Sequence, residues 1–241
     1  MTLISSFLSW VRTAVASRFE AMPAWFAITQ IFIGLGWLRA ATEKLITASW
    51  WTGADLRTFV AEHDGLGMPM YQGFIDNVVL PYAGENSLFV MALQFVVGLS
   101  LLSGRLIGPA LATGMFMNLN FVAAGAVDPS VFYLLSQGGL LLWLAERSRR
   151  RTTNTALDAT WFGGIALAAV SVPSIGTLHP ADVIYDPSVI LATVGAMAAV
   201  GTWLCRQRRM RVAEMADATA AVHFGHAQSR EATAATGSGR R

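Results

Sequence analysis

The 241-residue chain has one cysteine, Cys205, which excludes an intrachain disulfide, a CxxC redox pair and a cysteine-ligated cluster. Charge is scarce as well. Asp, Glu, Lys and Arg make up only 13% of residues, and a net charge of +2 builds no nucleic-acid surface. No histidine falls inside an apolar run: His63, His179, His223 and His226 lie in connections or the tail, so haem between helices would lack axial ligands. HExxH, EF-hand and lysine-bearing phosphate-loop motifs are missing too, and no metal site is expected. His179 with Asp182 and Asp186 reads as a helix-end turn rather than a metal centre. No basic residue precedes the first apolar stretch, and Arg12 and Arg18 interrupt it, so a cleaved signal peptide is not expected.

What the chain has in quantity is apolar surface. Residues of apolar type account for 54%, with a mean hydropathy of +0.49, the composition of an all-α polytopic membrane protein. A helix of about 18 apolar residues or more spans a hydrocarbon core of roughly 30 Å. Six such runs are predicted, at 24–43, 87–104, 107–127, 129–146, 159–178 and 187–205. Residues 1–22 form an N-terminal interfacial segment, either a short amphipathic helix at 3–17 or a frayed tail. Residues 23–147 hold a four-helix core. The long connection at 46–86 carries Trp50 and Trp51 where an interfacial aromatic belt belongs. Within 52–82, DLRTFVAEH and MYQGFIDNVVLPY read as two amphipathic helices that cap the bundle, separated by Gly65-Leu66-Gly67. Asn86-Ser87 is expected to cap the second span, Asp128-Pro129 to start the fourth, and Pro173 to kink the fifth. Residues 148–205 add two spans, and 206–241 a basic, largely disordered tail.

Arginine placement orients the chain. Arg12, Arg18, Arg105, Arg147, Arg149–Arg151, Arg206, Arg208, Arg209 and Arg211 share one side of a six-span layout. The opposite connections carry Asp55, Glu62, Asp64, Asp76, Glu85, Asp128, Asp182 and Asp186 against only Lys44 and Arg57. Both termini are therefore expected in the cytoplasm of a multi-pass plasma-membrane protein. The arginine runs are topogenic first and contacts for anionic lipid second.

At 1.5 Å rise per residue, Arg39, Gln94, Asn120 and Gln137 come out at one depth, roughly 10–12 Å below the outer surface. Tyr133 stands one turn above Gln137 and Glu43 one turn above Arg39, extending the layer outward. These six residues are the candidate ligand-binding set. Asn118 points to another side of its helix, in line with Gly114 and Gly125, and is assigned to interhelical packing. An apolar pocket with a few convergent polar groups suits a lipid-soluble ring carrying carbonyl or hydroxyl groups, such as a quinone. The alternative is that the same carboxamides only hydrogen-bond neighbouring helices.

The helix with Gly34-Leu35-Gly36-Trp37 leading to Glu43-Lys44-Leu45, then QFVVGLSLLSGR, then NLNFVAAGAVDPSVFY, resembles the DoxX/DoxD family of bacterial membrane proteins across about residues 25–146. The resemblance implies a four-helix core and, for one branch, the membrane subunit of a thiosulfate:quinone oxidoreductase. It carries over to Trp37 and Lys44, whereas the family has a glutamate where this chain has Gln94, so that titratable carboxylate is missing here. The two added spans lie outside the family core. The Ala/Arg-rich composition and N-terminal extension point to a high-GC actinobacterial member. Two functions follow: a quinone- or lipid-associated membrane subunit whose soluble or extracytoplasmic redox partner brings the electrons, or a non-catalytic scaffold or accessory subunit. Neither needs a covalent cofactor. A transporter fits less well, because membrane-embedded acidic relays are missing.

Overall fold

The computed structural model describes residues 13, 16, 17, 19, 20, 22–147, 154–176 and 182–237. The interfacial segment before residue 13, Arg18, Arg149–Arg151 and His179 lie outside the described residues. Among the described residues all regular structure is helical and there is no strand. The long helices are α1 (Ala24–Ile46), α5 (Ala83–Ser103), α6 (Ile107–Ala123), α7 (Ser130–Arg147), α8 (Asn154–Ser171) and α9 (Pro187–Gly237). Between α1 and α5 come the short α2 (Ala48–Trp51), α3 (Ala54–Glu62) and α4 (Pro69–Phe74), the last continued by a π-helical turn at Ile75–Val79. Among the described residues three helices are long and apolar enough to cross a membrane: α1, α5 and the Pro187–Met215 part of α9. α6 is equally apolar but, at 17 residues, shorter.

Helix ends follow from local chemistry. α5 stops at Gly104, whose φ of 65° lets Arg105 N–H return to the Ser100 carbonyl at 3.1 Å. Pro173 ends α8 instead of kinking it: the helix closes at Ser171 and Val172–Ser174 is a 3-10 turn, because proline lacks the N–H that another helical turn needs. Asp186 starts α9 by accepting Ser188 N–H at 2.8 Å, and its other oxygen accepts Gly176 N–H at 2.9 Å. The helix-end reading of Asp186 is what the geometry gives. Past Arg206 the backbone remains helical to Gly237 where disorder was expected, in keeping with the high helix propensity of an alanine-rich segment.

α1 packs along α5, α5 meets α6, α6 pairs with α7, and α7 closes on α1. α8 and α9 form a second pair that leans on α6 and α7 through α9. Phe26, Ile33, Trp37, Val97, Leu101, Leu111, Met117 and Leu140 fill the interior of the first group. Val122, Leu134, Ile190 and Leu191 join α6 and α7 to α9. The outer surface is apolar as well: Phe32, Phe89, Phe116, Phe132, Phe162 and Trp203 are each more than half exposed. Such a belt suits hydrocarbon. In lipid, however, burying one apolar side chain against another gains little, so close packing and polar contacts must hold the helices together.

The short helices sit on one end of the bundle. Ser87 Oγ donates to the Trp50 carbonyl at 2.6 Å, Met68 N–H to the Ala123 carbonyl at 2.9 Å, and Asn86 Nδ2 to the Val78 and Val79 carbonyls at 3.1 and 3.2 Å. Asn86 and Ser87 therefore do not cap α5, which begins earlier at Ala83; they fasten the capping helices to it. At the other end Arg208 pairs with Glu146 at 2.8 Å, and Arg206 pairs with Asp158.

Candidate functional site

Beneath the capping helices, α3, α4, the π turn, α5 and α6 enclose an apolar cavity of about 220 Å³. Phe59, Phe74, Phe89, Phe116 and Phe121 supply its aromatic wall, and the Phe59 and Phe121 rings meet edge to face at 6.4 Å. Phe89 and Phe116 are 58% and 60% exposed, so the cavity opens sideways between α5 and α6. Its polar groups are Tyr71, Asn86 and Asn120. Tyr71 donates its hydroxyl to Asn120 Oδ1 at 2.6 Å, joining the cap to the bundle, while Asn120 Nδ2 donates to the Phe116 carbonyl at 2.6 Å. One amide proton of Asn120 and the lone pairs of the phenol oxygen remain, a donor and an acceptor side by side in an apolar chamber. Burial pushes the Tyr71 phenol up to about 12, so it is a neutral donor at any physiological pH.

Of the six candidate ligand-binding residues, Asn120 alone lines this cavity. Gln137 is fully buried on α7 and accepts from Asn118 Nδ2 at 3.2 Å across the α6–α7 contact. Asn118 thus packs helices together, and Gln137 shares that task. A Cβ on Gly114 would overlap Gln137 Nε2 and press on Trp37 Nε1 at 3.3 Å, so this glycine admits a side chain of each neighbouring helix. Gly125, expected in the same line, instead ends α6 at a φ of 97° against the Leu66-Gly67 turn. Gln94 is buried on α5 with its Oε1 unpartnered and does not line the cavity. Arg39 and Glu43 are exposed on α1, and among the described residues no ion pair joins them. Tyr133 is half-buried against Trp37, ring centroids 5.7 Å apart. Equal depth does not bring the set together, because helices at one height can turn their polar residues to different sides.

Two residues that matter here were not singled out from sequence. Tyr71 lies within the amphipathic segment MYQGFIDNVVLPY, and its hydroxyl is the polar group that reaches Asn120. Gln30, inside the first apolar run, is fully buried and donates Nε2 to the Leu101 carbonyl at 2.6 Å, tying α1 to α5.

No protein-family model, curated protein or solved structure matches the chain.

Two outcomes follow from these contacts. Because the folded phenol of Tyr71 holds its proton more tightly than the unfolded one, its contribution is constant below about pH 9 and declines as pH rises from 10 towards 12. Thermal unfolding of wild type and Tyr71→Phe should therefore differ by a fixed amount at neutral pH and converge above pH 10; a gap that stays constant to pH 11.5 contradicts this. In the second, Gln137→Leu leaves the buried Asn118 amide without its acceptor and costs about 1–2 kcal/mol, whereas the Asn118→Leu/Gln137→Leu double variant recovers most of that loss. Denaturation midpoints of the four proteins read the coupling, and additive losses would show that the two amides do not interact.

Proposed function

We propose that the chain is a DoxX-like integral membrane protein of the plasma membrane with six spans and both termini in the cytoplasm. In this reading it is the quinone-binding membrane subunit of an oxidoreductase whose partner protein carries the electrons. The observation that carries it is the cavity under the cap, about 220 Å³ and apolar except for the Tyr71–Asn120 pair and Asn86. That volume holds a ring headgroup, and the side opening at Phe89 and Phe116 gives an isoprenoid tail its way out into lipid. The Asn120 amide proton suits a quinone carbonyl, and the phenol oxygen of Tyr71 accepts from the hydroxyl of the reduced ring. α1, α5, α6 and α7 make the four-helix core, with α8 and α9 added. The arginines at the end opposite the cap support the cytoplasmic placement.

The scaffold reading draws on a different observation: Gln30, Asn118 and Gln137 all spend hydrogen bonds on neighbouring helices. Those residues stabilise the bundle in either case, so the two readings part only at the cavity. Titration of the purified protein in mild detergent with decylubiquinone, followed by tryptophan quenching, separates them. Saturable one-site binding is expected; a linear, non-saturating response leaves the scaffold reading.

A further inference from the structure

Arg39 is the unexplained charge of the first helix. It lies seven residues before the end of α1 at Ile46, is exposed, and has no ion pair with Glu43. A lone arginine facing hydrocarbon costs on the order of 3 kcal/mol at mid-membrane and needs a counter-charge within snorkelling reach. Across the α1–α7 contact, Tyr133 packs beside the same stretch of α1. The Tyr133 hydroxyl rests on Gly36, one turn before Arg39, where a Cβ would overlap it. It donates to no acceptor among the described residues. Beside them lies aromatic surface: Phe32 and Phe132 meet edge to face at 5.9 Å, both more than half exposed.

Guanidinium and phenol beside an apolar strip make a donor set without an acceptor. A guanidinium fork fits two oxygens of a phosphate, and the phenol adds a third hydrogen bond. We propose that Arg39 and Tyr133 hold the phosphate of an anionic phospholipid whose acyl chains lie along Phe32 and Phe132. The site shares no residue with the cavity of Tyr71 and Asn120, and stands whether or not that cavity takes a quinone.

Native mass spectrometry of the full chain released from nanodiscs of mixed phosphatidylglycerol and phosphatidylcholine tests it. Wild type should retain one phosphatidylglycerol that Arg39→Gln holds about tenfold less, the loss of a charge-assisted bond. Tyr133→Phe, which keeps the ring packing, should weaken retention several-fold. Arg105→Gln, at the other end of the bundle, should keep that lipid. Equal retention by Arg39→Gln and wild type overturns the proposal, as does equal retention of phosphatidylcholine by wild type, which would mean apolar packing alone. Displacement by millimolar inorganic phosphate also overturns it, since that would make the ligand a free anion.

Discussion

Asn120→Leu is expected to lower affinity for decylubiquinone about tenfold, and Tyr71→Phe several-fold, while both variants keep the helical content of wild type. Leucine keeps the branching and heavy-atom count of asparagine, so the cavity keeps its outline and loses its polarity. What goes is the amide proton left over after Asn120 Nδ2 bonds Phe116, together with the acceptor that aims the Tyr71 hydroxyl. Tyr71→Phe removes only the hydroxyl and leaves the Asn120 amide in place, which is why its effect is smaller. Gln137→Leu provides the contrast. Its carboxamide bonds Asn118 and lies outside the cavity, so affinity should not change even as stability falls. The reverse order, with Gln137→Leu abolishing binding and Asn120→Leu neutral, would return the site to the interior of the bundle.

Gly53→Ala is expected to destabilise the capping helices by more than about 3 kcal/mol and to carry quinone affinity down with it. Gly53 has a φ of 75°, and a Cβ there would overlap the backbone of Ala83 and Gly84 at the start of α5. Backbone atoms cannot rotate away as a side-chain tip can, so α2 and α3 must shift. That shift strains the bond from Ser87 to the Trp50 carbonyl and moves Leu56 and Phe59, which line the cavity. Gly65→Ala is the control: its φ of 73° carries the same backbone penalty of about 1–2 kcal/mol, but nothing stands within 4 Å of a Cβ. Limited proteolysis of the 46–86 connection should speed up strongly in the first variant and modestly in the second. Equal rates in the two would show that the contact with α5 does not hold the cap.

Much of the fold was legible because helix length and cap chemistry are local. The first four apolar runs became long helices with ends displaced by at most four residues, the fifth shifted to Asn154–Ser171, the sixth ran on to Gly237, and DLRTFVAEH and MYQGFIDNVVLPY became the cap helices α3 and α4 with its π turn. Asn118 was read correctly as a packing residue, since its spacing to Gly114 fixes its side of α6. The site was less legible. A rise of 1.5 Å per residue gives height along a helix but not its rotation about the bundle. Gln94, Asn120 and Gln137 therefore shared a level without sharing a chamber. Tyr71 meets Asn120 across 49 residues of sequence, a pairing set by how the cap folds back and not by any spacing in either segment. Asn86 and Ser87 look like a helix start for the same reason: their real partners, Val78, Val79 and Trp50, lie in the preceding connection.

The central claim is that the chamber under the cap, and not the interior polar layer, receives the ring. Photoaffinity labelling with an azido-substituted short-chain quinone, followed by peptide mapping, tests this most directly. Adducts should fall within 56–60, 71–79, 86–93 and 116–124 and disappear when unlabelled quinone is added in excess. Adducts concentrated around Gln94 and Gln137 outside those segments, or labelling that excess quinone leaves unchanged, would contradict it.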